Sequence, residues 1–369
     1  MSAKPEEHTA VAADAASGPV EKQDEVPASS TAAQAPITEK SEGVSDAPVK
    51  DLENLDLSDK VTGAAADPVP AAPVVTPETK EDSNTPSTSP TSPTWPETPA
   101  DHPLSKFFGL IEELTKEAEY NEIYGIPLSP TNEFHTKLIL QKFLRANQGD
   151  IEKAKHQLLD TLKWRKEFDP VKAAKESFEK SRFEGLGYIL QVEGVPESVN
   201  KSDVVTFNVY GAVKDNKKTF GDLEAFLRWR VGLMERSVQH LNLSTVTEPI
   251  PDFGAGPDPY QGIQIHDYLQ VSFFRQDPLV KAATKKTIDI LSRCYPETLS
   301  RKFFVNVPVV MGWVYQAAKL LVSKETVKKF TVLSYGNALA GELGKGLPKE
   351  YGGEQGALSE IGEGMKLQD

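Results

Sequence analysis

Residues 264–308 constrain the fold more than any other part of this 369-residue chain. Alternating apolar positions over 264–268 predict a strand, and the apolar run 303–307 predicts a second, buried strand. Between them, Asp277 before a proline is typical of a helix start, and Tyr295 before a proline predicts where that helix ends. A strand, a crossover helix and a strand form a βαβ unit, so we expect a sheet that is at least partly parallel.

The segments on both sides of this unit predict the remaining elements. Predicted helices cover residues 102–120, 133–147, 150–168, 220–243 and 309–321, and further strands cover 187–192, 203–210 and 330–333. Helices followed by mixed strands and helices indicate an α/β fold with an N-terminal helical subdomain. We therefore assign residues 101–178 to the helical subdomain, 179–358 to a domain with a mixed or parallel sheet, and 359–369 to a C-terminal tail.

The first hundred residues differ in composition from the rest of the chain. They hold 18 of the 54 acidic residues, 6 of the 41 Lys and Arg residues, and 14 of the 27 prolines. Such a segment buries too little apolar surface to offset its chain entropy, so we predict that residues 1–100 form a disordered, acidic, proline-rich tail. Residues 101–369 carry a net charge of −1 and offer no basic excess for nucleic acid.

Other signals bear on location and on catalysis. Cys294 is the one cysteine, which leaves no internal disulfide and fits a reducing compartment. The sequence contains no run of 18 apolar residues, and its first ten residues lack the apolar core of a secretion signal. We therefore expect a cytoplasmic protein. Motifs of the G-x-S-x-G, H-E-x-x-H, P-loop and C-x-x-C types are absent, so the sequence indicates no enzyme.

Six short motifs together carry a family resemblance over residues 103–358. They are LQKFLRA at 140–146, a Trp-Arg pair at 164–165, HDY at 266–268, YPETL at 295–299, FFVNVP at 303–308 and LPKEYGG at 347–353. In this order they resemble the CRAL-TRIO lipid-transfer family. The NEIYGI, FNVYG and HDY segments further resemble its fungal non-classical phosphatidylinositol-transfer branch. HDY departs from the commoner members, so their lipid contacts do not carry over intact.

The resemblance implies phosphatidylinositol binding and its transfer between membranes. The apolar helix 309–321 would be the gate helix over an apolar cavity, with a core helix as the alternative. Lys302 resembles the family's inositol-phosphate lysine, and Arg145 is a second candidate for binding the headgroup. The alternative for each of these two cations is an ordinary solvated surface residue. We expect peripheral association with endoplasmic reticulum or microsomal membranes, and a role in phosphoinositide homeostasis or in the response to haem or oxidants.

The same branch is associated with haem b. His266 and Tyr268 are two residues apart on a predicted strand, so their side chains face one side of it. A tyrosine oxygen is a known axial ligand of ferric haem, which makes Tyr268 and His266 the candidate metal ligands. Tyr210 and Arg230 would complete the site, and Arg230 and Lys302 would pair with the haem propionates. Two alternatives stay open: a dedicated haem-binding protein with little lipid transfer, and a lipid-only carrier in which His266 and Tyr268 are structural.

Overall fold

The protein is described from a computed structural model. The structure describes residues 93–271, 277–308 and 324–369. The predicted gate helix at 309–321 and all but the last eight residues of the predicted tail lie outside the described residues. No helix within the described ranges is long and apolar enough to cross a membrane.

The described part begins with a group of helices joined by short connections. Their bounds are α1 Pro103–Phe108, α2 Ile111–Ala118, α3 Glu133–Ala146, α4 Ile151–Phe168, α5 Pro170–Ala173 and α6 Lys180–Phe183. Side chains cap the start of three of these helices: His102 accepts a hydrogen bond from Leu104 N, Asp150 accepts one from Lys153 N, and Asp169 accepts one from Lys172 N. Where one helix was predicted over 102–120, the structure has two, because the chain turns at Gly109.

A six-stranded sheet forms the centre of the following domain. The strands of the described chain are β1 Glu122–Ile123, β2 Ile126–Pro127, β3 Ser177–Glu179, β4 Gly187–Glu193, β5 Ser202–Val209, β6 Gly262–Asp267, β7 Leu299–Val305, β8 Phe330–Leu333, β9 Glu363–Gly364 and β10 Lys366–Gln368. The central sheet has the strand order β8-β7-β6-β5-β4-β9. Strands β5, β6, β7 and β8 are parallel, and β4 is antiparallel to both of its neighbours. Two small pairs, β1 with β2 and β3 with β10, lie outside this sheet.

Helices connect the parallel strands and complete the domain. Helix α8 joins β5 to β6, and α9 joins β6 to β7, which confirms the predicted βαβ unit and the mixed α/β fold class. The helix bounds are α7 Asn216–Phe220, α8 Leu223–Gln239, α9 Pro278–Cys294, α10 Lys324–Lys328, α11 Leu339–Leu343 and α12 Leu358–Ile361.

The two faces of the sheet differ in chemistry, because side chains alternate along each strand. One face is apolar and packs against the C-terminal elements that contain Leu339, Leu343 and Tyr351; it presents Val205, Phe207, Ile263, Ile265, Phe303 and Val305. The opposite face carries buried polar side chains: Thr206, Asn208, Gln264 and His266. Helix α8 covers this polar face, and the Ser237 and Thr206 hydroxyl groups lie 2.6 Å apart.

Both predicted chain boundaries differ from the structure. Trp95, assigned to the tail, is only 8% exposed, and its ring centroid lies 5.4 Å from that of Phe134. The predicted C-terminal tail, 359–369, contains β9, which extends the sheet beside β4, and β10, which pairs with β3. These strands are short and mostly exposed, so backbone pairing holds them and the sequence shows no apolar alternation.

Candidate functional site

The predicted site residues come together where parallel strands end. His266 lies on β6, Tyr268 is the first residue after β6, and Tyr210 is the first residue after β5. His266 is paired in register with Asn208 of β5 and with Phe304 of β7. The carboxyl ends of parallel strands form one edge of a sheet, so these side chains meet at that edge on the polar face.

Four rings form an aromatic cluster at this edge. The ring centroid of Tyr210 lies 5.4 Å from that of His266 and 5.2 Å from that of Tyr268. The ring of Phe304 lies 5.7 Å from His266 and 6.3 Å from Tyr268. The Tyr210 hydroxyl is 3.2 Å from His266 Nδ1. His266 and Tyr268 therefore both contact the same two rings, as expected for residues on one side of the strand.

Two cations adjoin this aromatic cluster. Arg230, on α8, is 3% exposed, and its Nε and Nη1 have no hydrogen-bond partner among the described residues. The Lys302 ammonium lies 5.3 Å from the ring centroid of Phe304 and 5.5 Å from that of Phe330. Neither cation forms an ion pair with any acidic group in the described ranges. The site therefore has uncompensated positive charge in a largely buried setting.

The pKa values reflect this combination of burial and like charge. Burial, and then the charge of Arg230, lowers the pKa of Lys302 from 10.5 to about 7. Burial lowers the pKa of His266 well below its usual value, and Lys302 and Arg230 lower it further, so the imidazole is neutral. Burial raises the pKa of both Tyr210 and Tyr268, so each phenol keeps its proton.

The turn that carries Tyr268 is fixed by Asp267, which sequence reasoning missed. Its buried carboxylate accepts hydrogen bonds from Leu269 N at 2.8 Å, Asn306 Nδ2 at 2.7 Å and the Tyr351 hydroxyl at 2.7 Å. Asn306 has a φ of +59° and accepts a hydrogen bond from a loop amide through its Oδ1. Asp267, Asn306 and Tyr351 lie within the family motifs at 266–268, 303–308 and 347–353, but their contact joins residues up to 84 positions apart.

Arg145 is not among these residues. Its Nη1 donates hydrogen bonds to the carbonyl oxygens of Pro251 and Asp252, at 2.7 and 3.0 Å, and its Nε lies 3.7 Å from a Glu297 carboxylate oxygen. On the same helix, Lys142 forms a fully buried ion pair with Asp258. These contacts attach α3 to the loop between α8 and β6, so Arg145 has a structural setting in place of the predicted headgroup setting.

The remaining site residues offer two kinds of chemistry. Arg230 and Lys302 present donors and positive charge to an anionic group. The Tyr268 phenol and the His266 imidazole present one oxygen and one neutral nitrogen, which are possible ligands of a haem iron. Within the described residues, His, Cys, Asp and Glu form no cluster of three able to hold a bare metal ion.

Comparisons with known proteins define the class to which this chain belongs. Residues 191–353 match the CRAL/TRIO domain, and residues 103–160 match the CRAL/TRIO N-terminal domain. The chain belongs to the CRAL/TRIO family, as the motifs predicted, and the predicted fold class is confirmed.

Within that family, the chain is similar to proteins named Sfh5. The phosphatidylinositol transfer protein SFH5 of Phaeosphaeria nodorum is 64% identical over 333 residues, which cover 90% of this chain and 100% of that protein. The protein sfh5 of Sclerotinia sclerotiorum, also named as a phosphatidylinositol transfer protein, is 52% identical over 257 residues, or 68% of this chain and 61% of that relative. A crystal structure of Sfh5 superimposes with a TM-score of 0.60 and 31% identity, covering 71% of this chain and 90% of that one.

Proposed function

We propose that this protein is a carrier that binds phosphatidylinositol and moves it between membranes. The relatives that match most of this chain are named phosphatidylinositol transfer proteins, which supports this assignment. The observation that carries it is a pair of cations, the buried Arg230 and the half-buried Lys302, which have no acidic partner in the described part of the chain. A folded protein tolerates such charge best when a ligand neutralises it.

The phosphodiester of phosphatidylinositol is an anion of the required kind. It would accept hydrogen bonds from the free Nε and Nη1 of Arg230 and from the Lys302 ammonium. Each methylene of the acyl chains that leaves water contributes about 0.8 kcal/mol, so affinity also requires apolar cover. The predicted gate helix, residues 309–321, remains our candidate for that cover and for the peripheral contact with endoplasmic reticulum or microsomal membranes.

A second ligand, haem b, is favoured by the aromatic cluster beside the two cations. Tyr268 and His266 would face the iron, Tyr210 would hydrogen-bond to His266, and Arg230 and Lys302 would pair with the propionates. A bound ferric haem would supply a redox-active iron whose tyrosinate ligation favours the oxidised state. Burial raises the pKa of Tyr268, so the phenol keeps its proton in the ligand-free protein and would have to lose it to ligate iron.

The two ligands use the same cations, so we propose that they bind in overlapping positions. A lipid-only carrier and a dedicated haem-binding protein are the limiting cases. The first would connect the protein to phosphoinositide homeostasis, and the second to the response to haem or oxidants.

One preparation separates these cases. Full-length protein is purified from iron-replete cells, its absorption spectrum is recorded, and its lipids are extracted and identified. We expect phosphatidylinositol in the extract and a Soret band that shifts or disappears in Tyr268→Phe. An unaltered band would remove Tyr268 as a ligand, and a flat visible spectrum would leave a lipid-only carrier.

Transfer of phosphatidylinositol between vesicles tests the headgroup assignment. Lys302→Ala should reduce the transfer rate, whereas Lys201→Ala, at an exposed position before β5, should leave it unchanged. Equal transfer by the Lys302→Ala protein and the parent would refute the role of Lys302.

A further inference from the structure

Two neighbouring helices carry an excess of positive charge on the outside of the protein. Helices α7 and α9 pack against each other, and Asn216 Nδ2 donates a hydrogen bond of 3.0 Å to Asp277 Oδ2 at their starting ends. Residues 214–220 and 277–294 contain seven Lys and Arg and three Asp, a net charge of +4. Residues 101–369 as a whole carry −1, so the excess is local.

Three of these lysines are exposed and form no ion pair with a described residue: Lys217, Lys281 and Lys285. We call this set the lysine face. The other lysines of these two segments, such as Lys214 and Lys218, form exposed ion pairs, which solvent and salt screen. Lys281 and Lys285 are one helical turn apart and therefore lie on the same side of α9.

The lysine face lies close to the edge of the sheet that carries the candidate site. Helix α7 begins six residues after Tyr210, and α9 begins ten residues after Tyr268, so each starts shortly after a strand end that bears a site residue. Leu269, in the turn between β6 and α9, is 55% exposed. An exposed apolar side chain and unpaired lysines thus both follow the strand ends that bear site residues.

We propose that the lysine face docks the protein on anionic lipid bilayers and holds this edge of the sheet against the membrane. The inference rests on the proposed function in one respect, because it assumes that lipid enters and leaves at this edge. Anionic leaflets attract basic side chains within about 8 Å at physiological ionic strength. Since the three lysines have no described acidic partner, docking would not require an existing ion pair to break. A bilayer is a broad negative surface, which suits lysines spread over two helices.

The test measures binding of the full-length protein to phosphatidylcholine vesicles, with and without phosphatidylserine, by sedimentation. The lysine-face variant carries Lys217→Gln, Lys281→Gln and Lys285→Gln. Each lysine removed is expected to weaken binding to phosphatidylserine vesicles about fivefold, so the triple variant should bind roughly 100-fold more weakly. Binding of the parent protein should also decrease steeply with added salt.

A matched control changes the same amount of charge elsewhere. It carries glutamine at three exposed lysines that form no ion pair among the described residues: Lys116, Lys201 and Lys349. We expect this control to bind phosphatidylserine vesicles like the parent. Equal loss in both triple variants would show that only net charge matters and would overturn the proposal. If both triple variants bind phosphatidylserine vesicles as strongly as the parent, the proposal is also overturned, and an acidic protein would be left as the partner of the lysine face.

Lipid extraction from the same preparations distinguishes this inference from the proposed function. The parent and the lysine-face variant should contain equal amounts of phosphatidylinositol, because none of the three lysines belongs to the candidate site. If neither contains phosphatidylinositol but vesicle binding still depends on the lysine face, docking is supported and the proposed cargo is wrong. If both contain it and vesicle binding is unaffected, docking at this face is wrong and the cargo stands.

Discussion

Replacing Lys302 by methionine should stabilise the ligand-free protein while it weakens anion binding. Methionine has a similar length and keeps an apolar side chain beside Phe304 and Phe330, but it carries no charge. The half-buried Lys302 ammonium has no ion pair within the described residues, so its removal leaves no acidic group unpaired. The parent residue therefore costs folding free energy that ligand binding would recover.

The cost follows from the pKa of Lys302, which is about 7 in the folded protein and 10.5 in the unfolded chain. Between these values the unfolded chain holds a proton that the folded protein has lost, so stability increases with pH at about 1.4 kcal/mol per pH unit. Below pH 7 both states are charged, and the full penalty applies. At pH 7 the penalty is about 4 kcal/mol, and at pH 9 it is about 2 kcal/mol.

Urea unfolding of lipid-stripped protein at pH 7 and pH 9, followed by tryptophan fluorescence, measures both values. Lys302→Met should raise the free energy of unfolding by about 4 kcal/mol at pH 7 and by about 2 kcal/mol at pH 9, less about 1 kcal/mol for lost contacts with the rings. Lys201→Met, at an exposed site, should change neither value. A Lys302→Met gain in stability that is absent, or equal at the two pH values, would refute an uncompensated charge at Lys302.

Two further substitutions test how the turn after β6 is held. Tyr351→Phe removes a hydrogen bond to the buried Asp267 carboxylate, so urea unfolding should show a free energy of unfolding lower by about 1.5–3 kcal/mol. The control Tyr335→Phe, at a position 72% exposed, should not change this free energy, and equal stabilities of the two variants would contradict the contact. Gly211→Ala places a methyl group against the Leu269 carbonyl, so it should displace the turn after β6. We expect a weaker Soret band with little change in the far-ultraviolet circular dichroism, and an unchanged band would contradict this displacement.

Local patterns in the sequence predicted the central part of the fold well. Helix α9 begins at Pro278, directly after its predicted capping residue Asp277, whose carboxylate accepts a hydrogen bond from Leu279 N. The alternation around His266 predicted its common orientation with Tyr268. Each of these features depends on residues that are close in the chain, where helix caps and the two-residue period of strands apply.

Features that depend on distant residues were not predictable in this way. The contact of Arg145 with the carbonyl oxygens of Pro251 and Asp252 joins segments more than 100 residues apart, and a guanidinium on a helix gives no sign of such partners. The strands β9 and β10 form through backbone hydrogen bonds to partners far earlier in the chain. Sequence periodicity carries no information about which distant backbone lies alongside a short polar segment.

The division of the sheet into an apolar and a polar face has an evolutionary consequence. On β6, Ile263 and Ile265 belong to the hydrophobic core, whereas Gln264 and His266 point to the side of the candidate site. Substitutions at 264 and 266 would therefore alter the polar side of the strand while the core residues at 263 and 265 are kept. Stabilising the core and shaping the polar side are thus assigned to alternate residues of one strand, so sequence change on one side does not directly alter the other.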